Sequence, residues 1–399
     1  MAATDEFHQG LRFKRVGSGL GAIDIYDTTT VGMNVYSDDA DASLPRNEPF
    51  MLFKSDTDKR EKLGTTGTAR KYTDALFESV SGAAVVVNLF EPGDSPDATL
   101  EKARGDEAAQ SGLYALEAAE GHVHYRPKII LTPTLTGFRV DNAANPVAVA
   151  QGQIAKRLGA VHITSGPGTT DEDAITFRKD FDDERMIIFD PLVKTAGGMM
   201  TAEAHVAAAG VQTDKEVGFH ASWGNKVLAI LGVNRIVPHH MSESDTRANY
   251  LLSNQVNTII SHQGGWRTWG DYAATTDSEM RFYCQLRVDD IVNEALARHI
   301  WRVISEPLIA DKVTAVLDRM NGLFSDMIDD QKLVGGHASF EGDRNSDRAL
   351  ELGRIVLSYD SFPPPPITLV DIEHKRQPRY LKRTVAAILA ASGNWSFSQ

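Results

Sequence analysis

Between residues 128 and 189 short apolar runs alternate with amphipathic stretches about every fifteen residues, the spacing of strand–helix units, and this alternation limits the possible folds more than any other feature. Strand-like runs at 128–131, 161–164 and 185–189 flank helical patterns at 146–158 and 170–181, and a further helix is predicted at 201–209, after the Gly197-Gly198 break. Strands separated by a helix favour parallel pairing with right-handed crossovers. The expected fold class is therefore α/β, within a mixed α+β chain that has a central α/β sheet.

Other segments join this centre. Residues 22–95 predict a small mixed, β-rich module, with strands at 28–36, 49–54 and 83–90 and a helix at 68–80. Residues 96–121 are polar and partly helical and predict a linker, leaving 122–350 as the main α/β domain. Residues 1–21 are rich in small and polar residues, and the strand-like character of the segment holding Leu11, Phe13 and Val16 marks a candidate arm that adds a strand elsewhere. From 351 onward come a strand at 354–359, four prolines Pro363 to Pro366, a strand at 367–375 carrying Ile367, Leu369 and Ile372, and a basic helix at 378–390. Four consecutive prolines cannot sit inside a central strand, so they predict a stiff spacer.

The 399 residues, 42% of them hydrophobic, suffice for a sizeable core. No run of about 18 apolar residues and no basic-then-apolar start occurs, so neither membrane insertion nor a secretory signal is expected. A net charge of −13 argues against wrapping nucleic acid. The charge is uneven: Lys375, Arg376, Arg379, Lys382 and Arg383 cluster near the end, while 38–41 and 171–183 are acidic, so a basic tail is a candidate for salt bridges to another copy. The single cysteine, Cys284, excludes an intrachain disulfide and reads as a small core residue.

The stretch 250–304 predicts two strands around Gly264-Gly265 followed by an amphipathic helix, with Trp266 and Trp269 as core anchors. A second long helix ends near Ile328, apolar on one stripe and carrying Asp311, Asp318, Arg319 and Asp326 on the other face. Three features invite an enzymatic reading. The loop 165–170 (Ser-Gly-Pro-Gly-Thr-Thr) precedes a helix, where amides can hold phosphate, yet it lacks the Gly-Lys-Ser/Thr of a P-loop and the G-x-G-x-x-G pattern. His122 with His124, and His239 with His240, lack further ligands at metal spacing. Asp180, Asp182, Asp183 and Glu184 fit an acidic loop better than paired catalytic carboxylates. No catalytic, cofactor-binding or metal residue is assigned.

One phrase carries a family resemblance. Asn254, Val256, Thr258 and Ile259, then Gly265-Trp266-Arg267 and Trp269-Gly270, resemble the phrase of contractile-tail sheath proteins of temperate myoviruses, with Asp271-Tyr272 where that family has Arg-Thr. Val31-Gly32, Asp39 to Ala42, Pro45, Asn47 and Pro49 match a second run, Ser222, Asn225 and Gly232-Val233 a third, and residues 355–360, Pro363 to Pro366 and Arg379-Tyr380-Leu381 a fourth. The resemblance implies a viral structural protein rather than an enzyme. Its copies would form stacked hexameric rings in a helical sheath around a tail tube protein, bounded by baseplate and tail terminator proteins. It also implies exchanged N- and C-terminal strand arms, a charged helical surface against the tube, and contraction that drives the tube through the bacterial envelope. It implies no cofactor, no direct nucleic-acid contact, and a place in the virion after assembly in the host cytoplasm. Two alternatives stay open: the sheath of a phage-tail-like bacteriocin or another contractile injection system, and an α/β enzyme binding a phosphate ligand through 165–170.

Overall fold

The computed structural model describes residues 28–392, so Leu11, Phe13 and Val16 lie outside the described residues. The chain begins with β1 (Val31–Tyr36), β2 (Phe50–Leu52), α1 (Thr57–Lys62), α2 (Ala69–Ser79) and β3 (Val85–Phe90). All of β3 is buried, as its Val85-Val86-Val87 run leads one to expect: a strand covered on both faces needs no alternation. Next come α3 (Pro96–Arg104), a 3-10 segment Gly112–Ala118, α4 (Ala119–Val123) and β4 (Ile129–Leu131).

The alternating section then folds as its pattern predicts. α5 (Pro146–Leu158) starts where Asn145 accepts the amides of Val147 and Ala148 with Pro146 in its first turn, and ends at Gly159, whose φ of 59° suits glycine. It is followed by β5 (Val161–Ser165), α6 (Asp171–Lys179), β6 (Met186–Asp190), the short β7 (Val193–Thr195) and β8 (Gly198–Met200), and α7 (Glu203–Glu216). After them lie β9 (Val227–Leu228), β10 (Gly232–Val233), α8 (Arg247–Ser253), β11 (Asn257–His262), β12 (Gly265–Trp269) and α9 (Tyr283–Ile300).

Nine strands form one sheet in the order β2-β3-β1-β4-β5-β6-β11-β12-β9. The six central strands, β3 to β11 in that order, run parallel; β2, β12 and β9 pair antiparallel at the margins. Ile129, Leu131, Ile163, Ile187 and Phe189 face a core shared with α2 and α7. Ile130 and Ile188 on the opposite face meet α5 and α6.

Two expected boundaries are corrected by this sheet. β1 bonds β3 on one side and β4 on the other, so residues 22–95 and the main domain share one sheet. The expected linker 96–121 is also part of the core: Leu100, Ala103, Leu113, Leu116 and Ala119 are buried with Val86 and Ile130. Each large side chain so buried contributes about 1.5–3 kcal/mol, more than a free linker would forgo.

Beyond α9 lie α10 (Ala310–Asp329), β13 (Gly335–Ser339), α11 (Asp347–Glu351) and β14 (Ser358–Phe362). β13 and β14 form a separate antiparallel pair. The chain divides at Pro366, later than the expected 350, and the segment from Ile367 is a second unit. Within it residues 367–377 carry no helix or strand; a 3-10 turn Pro378–Tyr380 leads into α12 (Leu381–Ala391). The expected strand at 367–375 is therefore not formed within the chain, because a strand needs an edge to bond and the described residues of this unit offer none.

Candidate assembly surfaces

Trp223, Trp266 and Trp269 are buried to different degrees. Trp266 and Trp269 are half-buried, and their odd spacing on β12 sends them to opposite faces, Trp266 against the α2–α7 core and Trp269 against the α6–α8 core. The fully enclosed one is Trp223. Its backbone N–H donates to Tyr283 Oη at 3.0 Å, its indole N–H donates to Asp214 Oδ1 at 3.3 Å, and the Arg287 guanidinium lies 4.7 Å from its ring centre. Sequence reasoning missed this cluster because Asp214, Trp223 and Arg287 lie on separate elements and no local pattern links them. Cys284 is buried in the first turn of α9, not in a strand, and burial pushes its thiol up to about 12.

The loop 165–170 is already occupied by the protein's own carboxylates. Gly168 N–H donates to Asp190 Oδ2 at 2.7 Å, and Ser165 N–H to Glu203 Oε1 at 3.2 Å. Arg235 pairs with both Asp171 and Asp190, and Arg247 Nε holds Asp171 Oδ2 at 2.6 Å. With Asp171, Glu172 and Asp173 in the first turn of α6, the helix start repels an incoming phosphate. The acidic loop is structural too: Asp180 binds Arg139, Asp182 accepts from Thr275 and Thr276, and Asp183 pairs with His162 at 3.0 Å. His122 lies 3.5 Å from Glu48, and the His239 ring sits 4.5 Å from that of Trp269. Among the described residues no group of three or more His, Cys, Asp or Glu is placed to hold a metal ion, and no helix is long and apolar enough to cross a membrane.

The β13–β14 pair offers strand edges instead. α10 buries Val316, Met320, Leu323, Phe324 and Met327 against α9 and this pair, leaving Asp311, Asp318 and Asp326 exposed and Arg319 half-buried. Asn321 on α10 plugs one edge: its Nδ2 donates to Ala338 O at 3.0 Å, and its Oδ1 accepts Ala338 N–H at 2.8 Å. A side chain thus occupies the backbone groups of β13 that a further strand would use. Among the described residues the outer edge of β14 has no strand beside it.

The second unit carries the expected C-terminal residues. Ile367, Leu369 and Ile372 are 84%, 75% and 86% exposed, far from the burial such side chains favour. Lys375, Arg376, Arg379, Lys382 and Arg383 are all exposed; Arg379 and Arg383 lie 5.3 and 6.0 Å from the Tyr380 ring centre. α12 adds exposed Leu381, Val385, Ile388 and Leu389 along one helical stripe.

Among the described residues the α/β body thus carries a hairpin with an unpaired edge, and the second unit an apolar segment outside any strand. No family model matches the chain. It is 27% identical over 372 residues to a prophage major tail sheath protein of Pseudomonas aeruginosa, covering 90% of this chain and 94% of that one. It is 26% identical over 404 residues to the tail sheath protein of Escherichia phage P2, covering 96% and 99%. Its fold matches the sheath of an extracellular contractile injection system in the contracted state with a TM-score of 0.68, at 11% identity over 95% of this chain and 100% of that one. Along nearly its whole length the chain is similar to these tail sheath proteins, which supports its reading as a structural protein of a contractile tail.

Proposed function

We propose that copies of this chain stack as hexameric rings around a tail tube, each lending its terminal strands to neighbours, and that the lattice drives the tube through an envelope when it contracts. The observation that carries this reading is the pairing of deficits among the described residues: β14 has an unpartnered edge, and residues 367–375 carry β-prone Ile367, Leu369, Val370 and Ile372 with no strand to join. Adding that segment of one copy to β14 of another satisfies both. Each backbone hydrogen bond contributes about 1 kcal/mol net, so a strand of several residues holds neighbours together while their globular faces slide. The free-energy difference between two packings supplies the work, and no bond need be hydrolysed. Leu11, Phe13 and Val16 play the corresponding part at the other terminus, and the five basic residues from Lys375 to Arg383 form salt bridges to a neighbour. Tube, baseplate and tail terminator proteins are the remaining partners, with assembly in the host cytoplasm before incorporation into the virion.

The test is negative-stain electron microscopy with sedimentation on the full chain, a form lacking residues 1–20 and a form ending at Pro366. Tubes or rings from the full chain and small species from both truncations are expected. A compact species from all three, unchanged with concentration, overturns the reading.

A further inference from the structure

Two hydrogen bonds tie the chain that leads into the C-terminal segment to one side of α9. Tyr359 Oη on β14 donates to Asn293 Oδ1 at 2.6 Å, and four residues later Pro363 O accepts from Gln285 Nε2 at 2.8 Å. The eight residues from Gln285 to Asn293 rise about 12 Å along a helix, and the four from Tyr359 to Pro363 span about 13 Å of extended chain. The two spans match, so the end of β14 and the first proline run antiparallel to α9, heading towards its N-terminus.

That end of α9 is firmly held. Tyr283 and Cys284 sit in the core shared with α2 and α7, and Arg287 pairs with buried Asp214. Further along α9, Asp290 pairs with Arg185 beside β6, and Glu294 with Lys128 beside β4. Pro363 is buried, whereas Pro365 and Ile367 are exposed. The prolines have no amide hydrogen to bond elsewhere and hold a stiff extended form, so whatever orients Pro363 orients the whole run.

We propose that Gln285 is a positioning residue: by holding the Pro363 carbonyl it aims the Pro363–Pro366 stalk along α9, so that the segment beyond pivots from Pro366 and not from β14. The inference rests on the reading that this segment is donated to a neighbouring copy. Without the amide donor the stalk swings from Phe362, and the donated segment samples a wider volume, lowering its effective concentration at the neighbour's edge.

The experiment uses the full chain with Glu279→Cys and Thr368→Cys introduced for spin labels, both positions being exposed and the native Cys284 buried. The label-to-label distance distribution is compared for Gln285, Gln285→Ala, Gln285→Glu, which keeps the shape without the donor, and Gln285→Lys, which restores a donor. Sedimentable polymer and the denaturant midpoint are read on the same variants without labels. The distribution is expected to widen roughly twofold for Ala and Glu and to narrow again for Lys, with most polymer lost in the first two and the midpoint unchanged. Equal widths in all four overturn the proposal, as does a lowered midpoint without widening, which would make Gln285 part of the fold alone. If the parent forms no polymer, the assembly reading fails, and the widths still decide whether Gln285 holds the stalk.

Discussion

Asp214 on α7 and Arg287 on α9, 73 residues apart in sequence, form a two-pronged ion pair with Nη1–Oδ1 at 2.9 Å and almost no solvent access. The pair joins the helix layer over the main sheet to the helix that carries the β13–β14 module. Opening it from one side leaves a buried charge alone, which costs about 3–5 kcal/mol. Arg287→Met is therefore expected to lower the unfolding free energy by that amount in denaturant titrations. Adding Asp214→Leu is expected to recover much of the loss. Additive losses in the double variant would show that the two side chains do not act as a pair.

The tryptophans rank by enclosure. Trp223→Ala removes a fully buried ring and is expected to cost about 3–5 kcal/mol, with Trp266→Ala and Trp269→Ala costing less because each keeps part of its ring in solvent. A Cβ built on Gly210 would come within 2.6 Å of the Trp223 ring, so Gly210→Ala is expected to cost about 1–3 kcal/mol through overpacking. Thermal melts of the four variants check the order. A Trp269→Ala protein as stable as the parent would remove that ring from the core.

The Asp214–Trp223–Arg287 cluster leaves no local signal in the sequence, whereas several elements do. α5 is legible to the residue because Asn145, Pro146 and Gly159 are chemical punctuation read locally. The β11–β12 hairpin and α9 are legible for the same reason, through Gly264-Gly265 and a helical apolar period. The union of β1 with β4 is not, since register between strands almost a hundred residues apart leaves no trace in either strand's own pattern. Nor does composition separate a linker from helices that bury a few leucines, as Leu100, Leu113 and Leu116 do. On the candidate surface, the exposed Ile367, Leu369 and Ile372 could be named in advance. Asn321 and Gln285 could not, because each acts through a backbone group distant in sequence.

Asp271, which stands where the resembling family has arginine, gives a pH prediction. It accepts from Ser222 Oγ, and burial raises its carboxyl from 3.8 to about 6. The folded state therefore disfavours its charge. The associated stability is fully present below about pH 4, is lost as pH rises through about 6, and is absent at pH 7. A shift of this size corresponds to about 3 kcal/mol. Asp271→Asn keeps the acceptor oxygen without the charge, so it is expected to be more stable than the parent at pH 7.5 by about 1–3 kcal/mol and nearly equal at pH 4. Parallel stability–pH curves for the two proteins would contradict this.

Residues on the second unit separate assembly from folding. Ile367→Ser, Leu369→Ser and Ile372→Ser change exposed side chains, so the unfolding free energy is expected to change by no more than about 0.5 kcal/mol for each, as for ordinary surface substitutions. Polymer recovered by sedimentation is expected to fall sharply for the triple variant. Reversing Lys382 and Arg383 to Glu is expected to weaken polymer most at low salt, where charge pairs are least screened. Unchanged polymer in both sets would exclude this segment from the contacts between copies.

Asn321 gives a prediction about which strand edge is used. Its amide fills both backbone groups of Ala338 on β13, as a neighbouring strand would, so on the proposed strand exchange β14 is the edge left to accept a strand. Asn321→Leu keeps the size but removes two hydrogen bonds, together worth about 2 kcal/mol, and leaves a second edge open. The monomer is expected to lose about that much stability, which a denaturant midpoint reads. Its assemblies are expected to become irregular, with branched or aggregated species beside ordered tubes in electron micrographs, because two edges then compete for one strand. If Asn321→Leu gives tubes as regular as the parent's, the plug has no part in edge choice and its two hydrogen bonds serve the fold alone.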